Sequence, residues 1–274
     1  MTLEPEWFWY LHNKERFLSR YKDNHAFYSS LYSFLSGFPP KAENLDTVLS
    51  FYAKARETNL EEVRRAAVFC INEMLPMALD SQRIFKSFFK YYHEFKQVKF
   101  VVAGDIELHS EHTATSLDFD DVKKIYADAY ERVGKLLPSL ATLINICSSR
   151  RHNEMSRIDW QSYLGASQAN KIKIVEATPE LSSYATSFNN HIRNAIDHES
   201  IAYDYLKDEI KWHDKDKQGT LTYAEFLIMT YDLMSTLANL ICLNIFVFHI
   251  QKLEKMSRKH IRVPLAKSIY LLSS

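Results

Sequence analysis

Residues His191-Ile192-Arg193-Asn194-Ala195-Ile196-Asp197-His198 hold two side chains suited to chemistry at a phosphate. The Arg193 guanidinium is a planar fork of donors that stays charged and matches phosphate oxygens. The His198 imidazole titrates near neutrality and can move protons in either direction. The spacing alone is not specific, because Arg20 and His25 repeat it with Tyr21 after the arginine. Both cations also have a plainer use at a helix C-terminus, where positive charge offsets the dipole.

A second constellation competes with the first. Asp214 to Glu225 resembles an EF-hand calcium loop, with Asp214, Asp216, Gln218 and Glu225 at ligand positions and Gly219 at position six. Gln218 departs from the usual Asp or Asn, His213 precedes the loop where an apolar residue is customary, and no partner EF-hand occurs. Gly219 is equally explained by a turn, and Glu225 by capping with Thr222. His109-Ser110-Glu111-His112 can be read as metal ligands, but it brings two histidines without a third well-placed ligand and reads as an exposed acidic loop. Aromatics and lysines alternate over 83–100, but helical spacing puts Phe85, Phe88, Tyr92 and Phe95 on one core face.

These residues need elements to hold them. An aromatic helix is expected over 3–36, stopped by Gly37-Phe38-Pro39-Pro40, then helices over 45–57 and 82–99. Thr58 to Glu61 reads as a capping box opening a helix between those two, which Pro76 interrupts. An acidic stretch over 104–121 without Lys or Arg marks a boundary, dividing an N-terminal region, 1–115, from a bundle over 116–274. Apolar residues at 122, 126, 129, 133, 136, 140, 143 and 147 predict one long amphipathic helix, kinked at Pro138. Helices over 160–176 and 180–196 follow, the second with Leu181, Tyr184, Phe188 and Ile192 in one stripe. Alternation at Ile201, Tyr203, Tyr205, Ile210 and Trp212 predicts a short hairpin. Thr222 and Glu225 then cap a closing helix reaching about residue 255.

The chain has 274 residues, with Lys+Arg and Asp+Glu both 34, so a histone-like coat for nucleic acid is excluded. Only five glycines and seven prolines argue against a barrel, a sandwich or a glycine-looped nucleotide fold. Cys70, Cys147 and Cys242 are odd in number and scattered, which predicts reduced thiols in a cytoplasmic protein. No secretory leader is visible at Met1 to Glu6. Leu233 to Ile250 carries no formal charge over 18 residues, yet Asn239 and Asn244 within it favour a buried central helix over a membrane span.

Arg193, Asn194 and His198 resemble the R-x4–6-H motif of the HEPN family. The order around them is similar too: long helix, second helix, motif at a helix end, short excursion, closing helix. The resemblance covers roughly residues 118–255. It implies a mainly α bundle with one small β-hairpin, and a metal-independent endoribonuclease without cofactor. Cleavage of RNA by its own 2′-hydroxyl needs a base, an acid and charge stabilisation at phosphorus. The resemblance gives His198 the proton transfer, Arg193 the developing charge, and Asn194 the orientation of phosphate or imidazole. It also implies a homodimer with two motifs facing one cleft, RNA as partner, and a toxin–antitoxin or antiviral setting with a neutralising or defence-system partner. The uncharged closing helix and the helix over 122–147 are candidate dimer surfaces. Asp197 departs from the small or apolar residue expected beside the histidine. Residues 132–173 hold seven basic residues against two acids, and Arg150, Arg151 and Arg157 among them are candidate RNA contacts. A non-catalytic helical regulator that binds RNA or protein is the other reading, with the calcium-responsive module a third.

Overall fold

The computed structural model describes residues 42–91 and 119–260. The aromatic segment 3–36, the Pro39-Pro40 stop, Tyr92 and Phe95, the boundary near 115, and the His109–His112 cluster lie outside the described residues.

The fold is mainly helical with one small antiparallel sheet. Helix α1 spans Ala42–Thr58 and α2 Leu60–Phe69. The cap of α2 is Asn59, one residue later than expected: its side chain accepts from the backbone N–H of Glu62, while the Thr58 hydroxyl turns back to the Lys54 carbonyl. A π-turn over Cys70–Met74 leads into α3, Leu75–Leu79, with Pro76 in its first turn. Pro76 has no N–H for the carbonyl one turn back, and the wider turn absorbs that mismatch. Helix α4 is Gln82–Lys90.

Helix α5 runs unbroken over Phe119–Cys147 with Pro138 inside it. Its expected apolar stripe is buried, and burial then widens: between Val133 and Ile146 only Lys135 is exposed. The single helix expected over 160–176 is instead α6, Trp160–Gly165, α7, Gln168–Lys171, and α8, Lys173–Glu176. Extended backbone at Ala166 and Ser167 separates the first two. The helix expected over 180–196 is likewise a 3-10 turn, Pro179–Ala185, followed by α9, Asn190–Asp197. Asn189 opens α9 by accepting from the N–H groups of His191 and Ile192. The stripe of Leu181, Tyr184, Phe188 and Ile192 still faces the core across that break.

Strands β1, Ile201–Asp204, and β2, Glu209–Asp214, form the expected hairpin. A third strand, β3, Lys217–Leu221, continues the sheet in the order β1-β2-β3. The closing helix α10, Tyr223–His260, starts at the expected box, in which the Thr222 N–H reaches Glu225 Oε2 and the Glu225 N–H reaches Thr222 Oγ1.

Helix α10 packs most extensively on α5, and α1 to α4 complete the same core. The segment Tyr223–Phe248 is long and apolar enough to cross a membrane, but 83% of its most apolar window is buried inside the protein. The two surfaces expected to face a second copy are therefore largely spent on each other. A polar seam lies between them: the Ser139 hydroxyl donates to Asn244 Oδ1 at 3.0 Å, and Asn244 Nδ2 donates to the Leu240 carbonyl at 2.7 Å. Burial also pushes the Cys70 thiol up to about 12, away from reactive thiolate chemistry.

Asn244→Ala removes the buried Ser139–Asn244 hydrogen bond and is expected to cost about 2 kcal/mol in denaturant unfolding. Adding Ser139→Ala should cost less than the two single losses together.

Candidate functional site

The site sits where α9 crosses the outward half of α5. Tyr126 and Tyr130 of α5 fix the start of α9: the Tyr126 hydroxyl accepts from the Asn189 N–H at 3.1 Å, and the Tyr130 hydroxyl donates to Asn190 Oδ1 at 3.2 Å. The Tyr130 ring stacks on Phe188 at 3.8 Å.

One turn into α9, Arg193 is clasped by two carboxylates. Its Nη2 lies 2.7 Å from Glu131 Oε1 and 2.9 Å from Asp197 Oδ2, and its Nη1 donates to Asn194 Oδ1 at 3.3 Å. Asp197 thus serves the arginine rather than the neighbouring histidine. Asn194 passes the network on, donating from Nδ2 to Asp214 Oδ2 at 3.1 Å. His191 Nδ1 meets the same oxygen at 2.8 Å, and its ring lies nearly parallel to Trp212. Asp214 is buried, and the hydrogen bond from His191, joined by that from Asn194, holds its carboxyl below the usual carboxylate range.

His198 caps the C-terminus of α9, roughly 140° round the helix from Arg193. It is exposed, and its imidazole makes no hydrogen bond or ion pair among the described residues. The turn after it is a Schellman arrangement: the Glu199 N–H reaches the Ile196 carbonyl and the Ser200 N–H reaches that of Ala195. Glu199 holds φ at +53° where glycine is usual. A shallow groove of about 700 Å³ runs on from Glu199 across Lys211, Trp212, His213 and Gln218.

The calcium ligands proposed from sequence do not form a loop. Asp214 and Lys217 are paired across a hairpin, with Lys215 at a φ of +58° in the turn. Gln218 is opposite His213, and Gly219 opposite Trp212, whose ring would lie 2.7 Å from a Cβ at that position. Asp214 turns inward to His191, Asp216 stays in the turn, and Glu225 is taken by Thr222. Among the described residues, no group of three or more His, Cys, Asp or Glu side chains could hold a metal ion.

Arg150, Arg151 and Arg157 belong to the connection beyond the far end of α5. The helix alone puts about 24 Å between Glu131 and Cys147, which sets Arg150 and Arg151, just beyond that end, apart from Arg193. Arg151 and Arg157 are exposed, and Arg150 is half-buried. Sequence reasoning missed Glu131 and the roles of His191, Trp212 and Asp214. Only their nearness to the motif, or the alternation in β2, marked any of them out.

Asp214→Asn is expected to lose about 2 kcal/mol at neutral pH by breaking a buried charge-assisted contact. Because the folded carboxyl titrates below its ordinary value, the advantage exists above about pH 4 and fades as pH falls through the folded value. Denaturant midpoints for both proteins across pH 3–7 should therefore converge in acid. Glu199→Gly should raise stability by about 1 kcal/mol by relieving the left-handed backbone, read as a higher midpoint with unchanged slope.

No protein-family model matches the chain, and no curated protein or solved structure matches it either.

Proposed function

We propose that the chain is a metal-independent endoribonuclease of HEPN type, working as a homodimer through Arg193 and His198. The observation that carries this reading is that one short helix holds a fixed guanidinium, Arg193, and ends in an exposed, unpartnered imidazole, His198. His198 takes the proton from a ribose 2′-hydroxyl or returns one to the leaving 5′-oxygen. Arg193 offsets charge developing on the phosphate oxygens, with Asn194 fixing its orientation. One imidazole cannot be base and acid at once, so two copies facing one cleft supply both. The groove across Lys211, Trp212 and His213 offers a cation and an aromatic ring beside the motif for the RNA strand.

The setting that goes with such an enzyme is a toxin–antitoxin or antiviral system, with a neutralising or activating partner. Expression should then slow growth, and His198→Ala should relieve it.

Purified protein is expected to cut RNA in the presence of EDTA. His198→Ala should lower the rate about 10²–10⁴-fold without shifting the unfolding midpoint. RNA left intact in EDTA across a concentration series spanning dimer formation would overturn the reading.

A second reading has its own observation. Two carboxylates on one guanidinium is also how a helix end is tied to a scaffold, as in a non-catalytic regulator that binds RNA or protein. On that reading Arg193→Ala destabilises the fold and His198→Ala changes nothing.

A further inference from the structure

Another cavity opens along α5, one turn beyond Glu131. It holds about 660 Å³, within the range of small-ligand sites, and is walled by α2, the π-turn and α3 on one side and α6 and α7 on the other. Two cations reach it. Lys135 is the one residue through which the buried half of α5 meets solvent, and it does so in this cavity. Lys171 is only 6% exposed, yet its ammonium has no hydrogen bond or ion pair among the described residues. The stem of Lys171 is packed away while its ammonium keeps contact with solvent at the cavity wall. Burial holds its pKa below the usual lysine range, with the Glu131 charge pulling the other way and Lys135 adding to the depression.

The remaining walls suit a flat, polarisable ring. Trp160 lines the cavity with Phe69 against it edge-on at 5.5 Å, and Met74 and Met77 add thioether surface. Glu73 is an acceptor at the wall, placed for hydroxyl or amino donors rather than for a second anion.

We propose that this cavity binds a nucleoside monophosphate unit, its phosphate between Lys135 and Lys171 and its base against Trp160 and the methionines. The phosphate supplies a directly bonded anion to Lys171, which otherwise feels only the Glu131 charge at a distance, and the base fills the apolar remainder. The unit is either a free mononucleotide or one residue of an RNA strand. Gln168 connects the cavity to Arg193: its side chain lines the wall and donates from Nε2 to Glu131 Oε2 at 3.3 Å, while Glu131 Oε1 holds the guanidinium. Binding here requires no cleavage, so it stands apart from the ribonuclease reading.

Calorimetry on the full-length chain tests it, with AMP, GMP, CMP and UMP as probes. An RNA oligonucleotide made uncleavable by 2′-O-methyl groups, and inorganic phosphate, complete the set. Lys171→Met keeps the buried stem and should weaken binding at least tenfold; Lys135→Met, at an exposed position, should do the same and carries the test if the first variant does not fold. Mononucleotide binding that needs these lysines identifies a free-nucleotide site. Lysine-dependent binding of the oligonucleotide alone identifies a strand subsite. Absence of both, binding indifferent to both lysines, or inorganic phosphate binding as tightly as the nucleotides would overturn the proposal.

Discussion

A stretch of 18 residues without a formal charge folds in water only where it is covered on every side, and α10 finds that cover in α5. The requirement is mutual. From Val133 to Ile146, α5 has one exposed residue, so each long helix is the other's interior and the remaining helices complete the wrapping. Apolar side chains alone would let two such helices slide. The Ser139–Asn244 contact opposes sliding, because any shift would break a buried hydrogen bond between the two helices.

The faces of α5 decide where chemistry can be built. The helix packs on α10 from Phe119 and Tyr126 against Phe226 to Ser139 against Asn244, and the hydroxyls of Tyr126 and Tyr130 with the Glu131 carboxylate are left to receive α9. The sheet contributes from the other side through Asp214, which sits at the end of β2 and holds both His191 and Asn194. Stacking of Phe119 and Tyr223 with Tyr203 fastens the sheet to the starts of both long helices. Arg193 is thus located by α5 through Glu131, by its own helix through Asp197 and, by way of Asn194, by β2.

Periodicity made the long helices legible: the stripe over 122–147 and the capping box at Thr222 are as expected, because local spacing dictates both. The shorter elements were harder. Leu181, Tyr184, Phe188 and Ile192 do face inward, but the backbone breaks at Thr186–Asn189, where Asn189 has stronger use as a cap. Glycine scarcity was a fair guide to fold class and a poor one to turns. Ser149, Glu199, Asp208 and Lys215 all adopt positive φ, so positions that glycine usually marks carry no signal. Gly219 misled in the opposite sense: it mimics the sharp turn of a calcium loop, whereas it makes room for the Trp212 ring across the strand pair. Glu131 had no local signature at all, since an acid on an amphipathic helix is ordinary until the partner 62 residues away folds onto it.

On the ribonuclease reading, the double carboxylate clasp on Arg193 limits what kind of phosphate site this can be. Glu131 and Asp197 more than cancel the local positive charge, so a resting phosphodiester is drawn in weakly. The same clasp removes the entropy a free arginine would lose on binding, and it fixes the fork in one plane. On the ribonuclease reading, attraction of the strand must then come from elsewhere on the surface. Lys135 meets that need: it is exposed and lies one helical turn from Glu131.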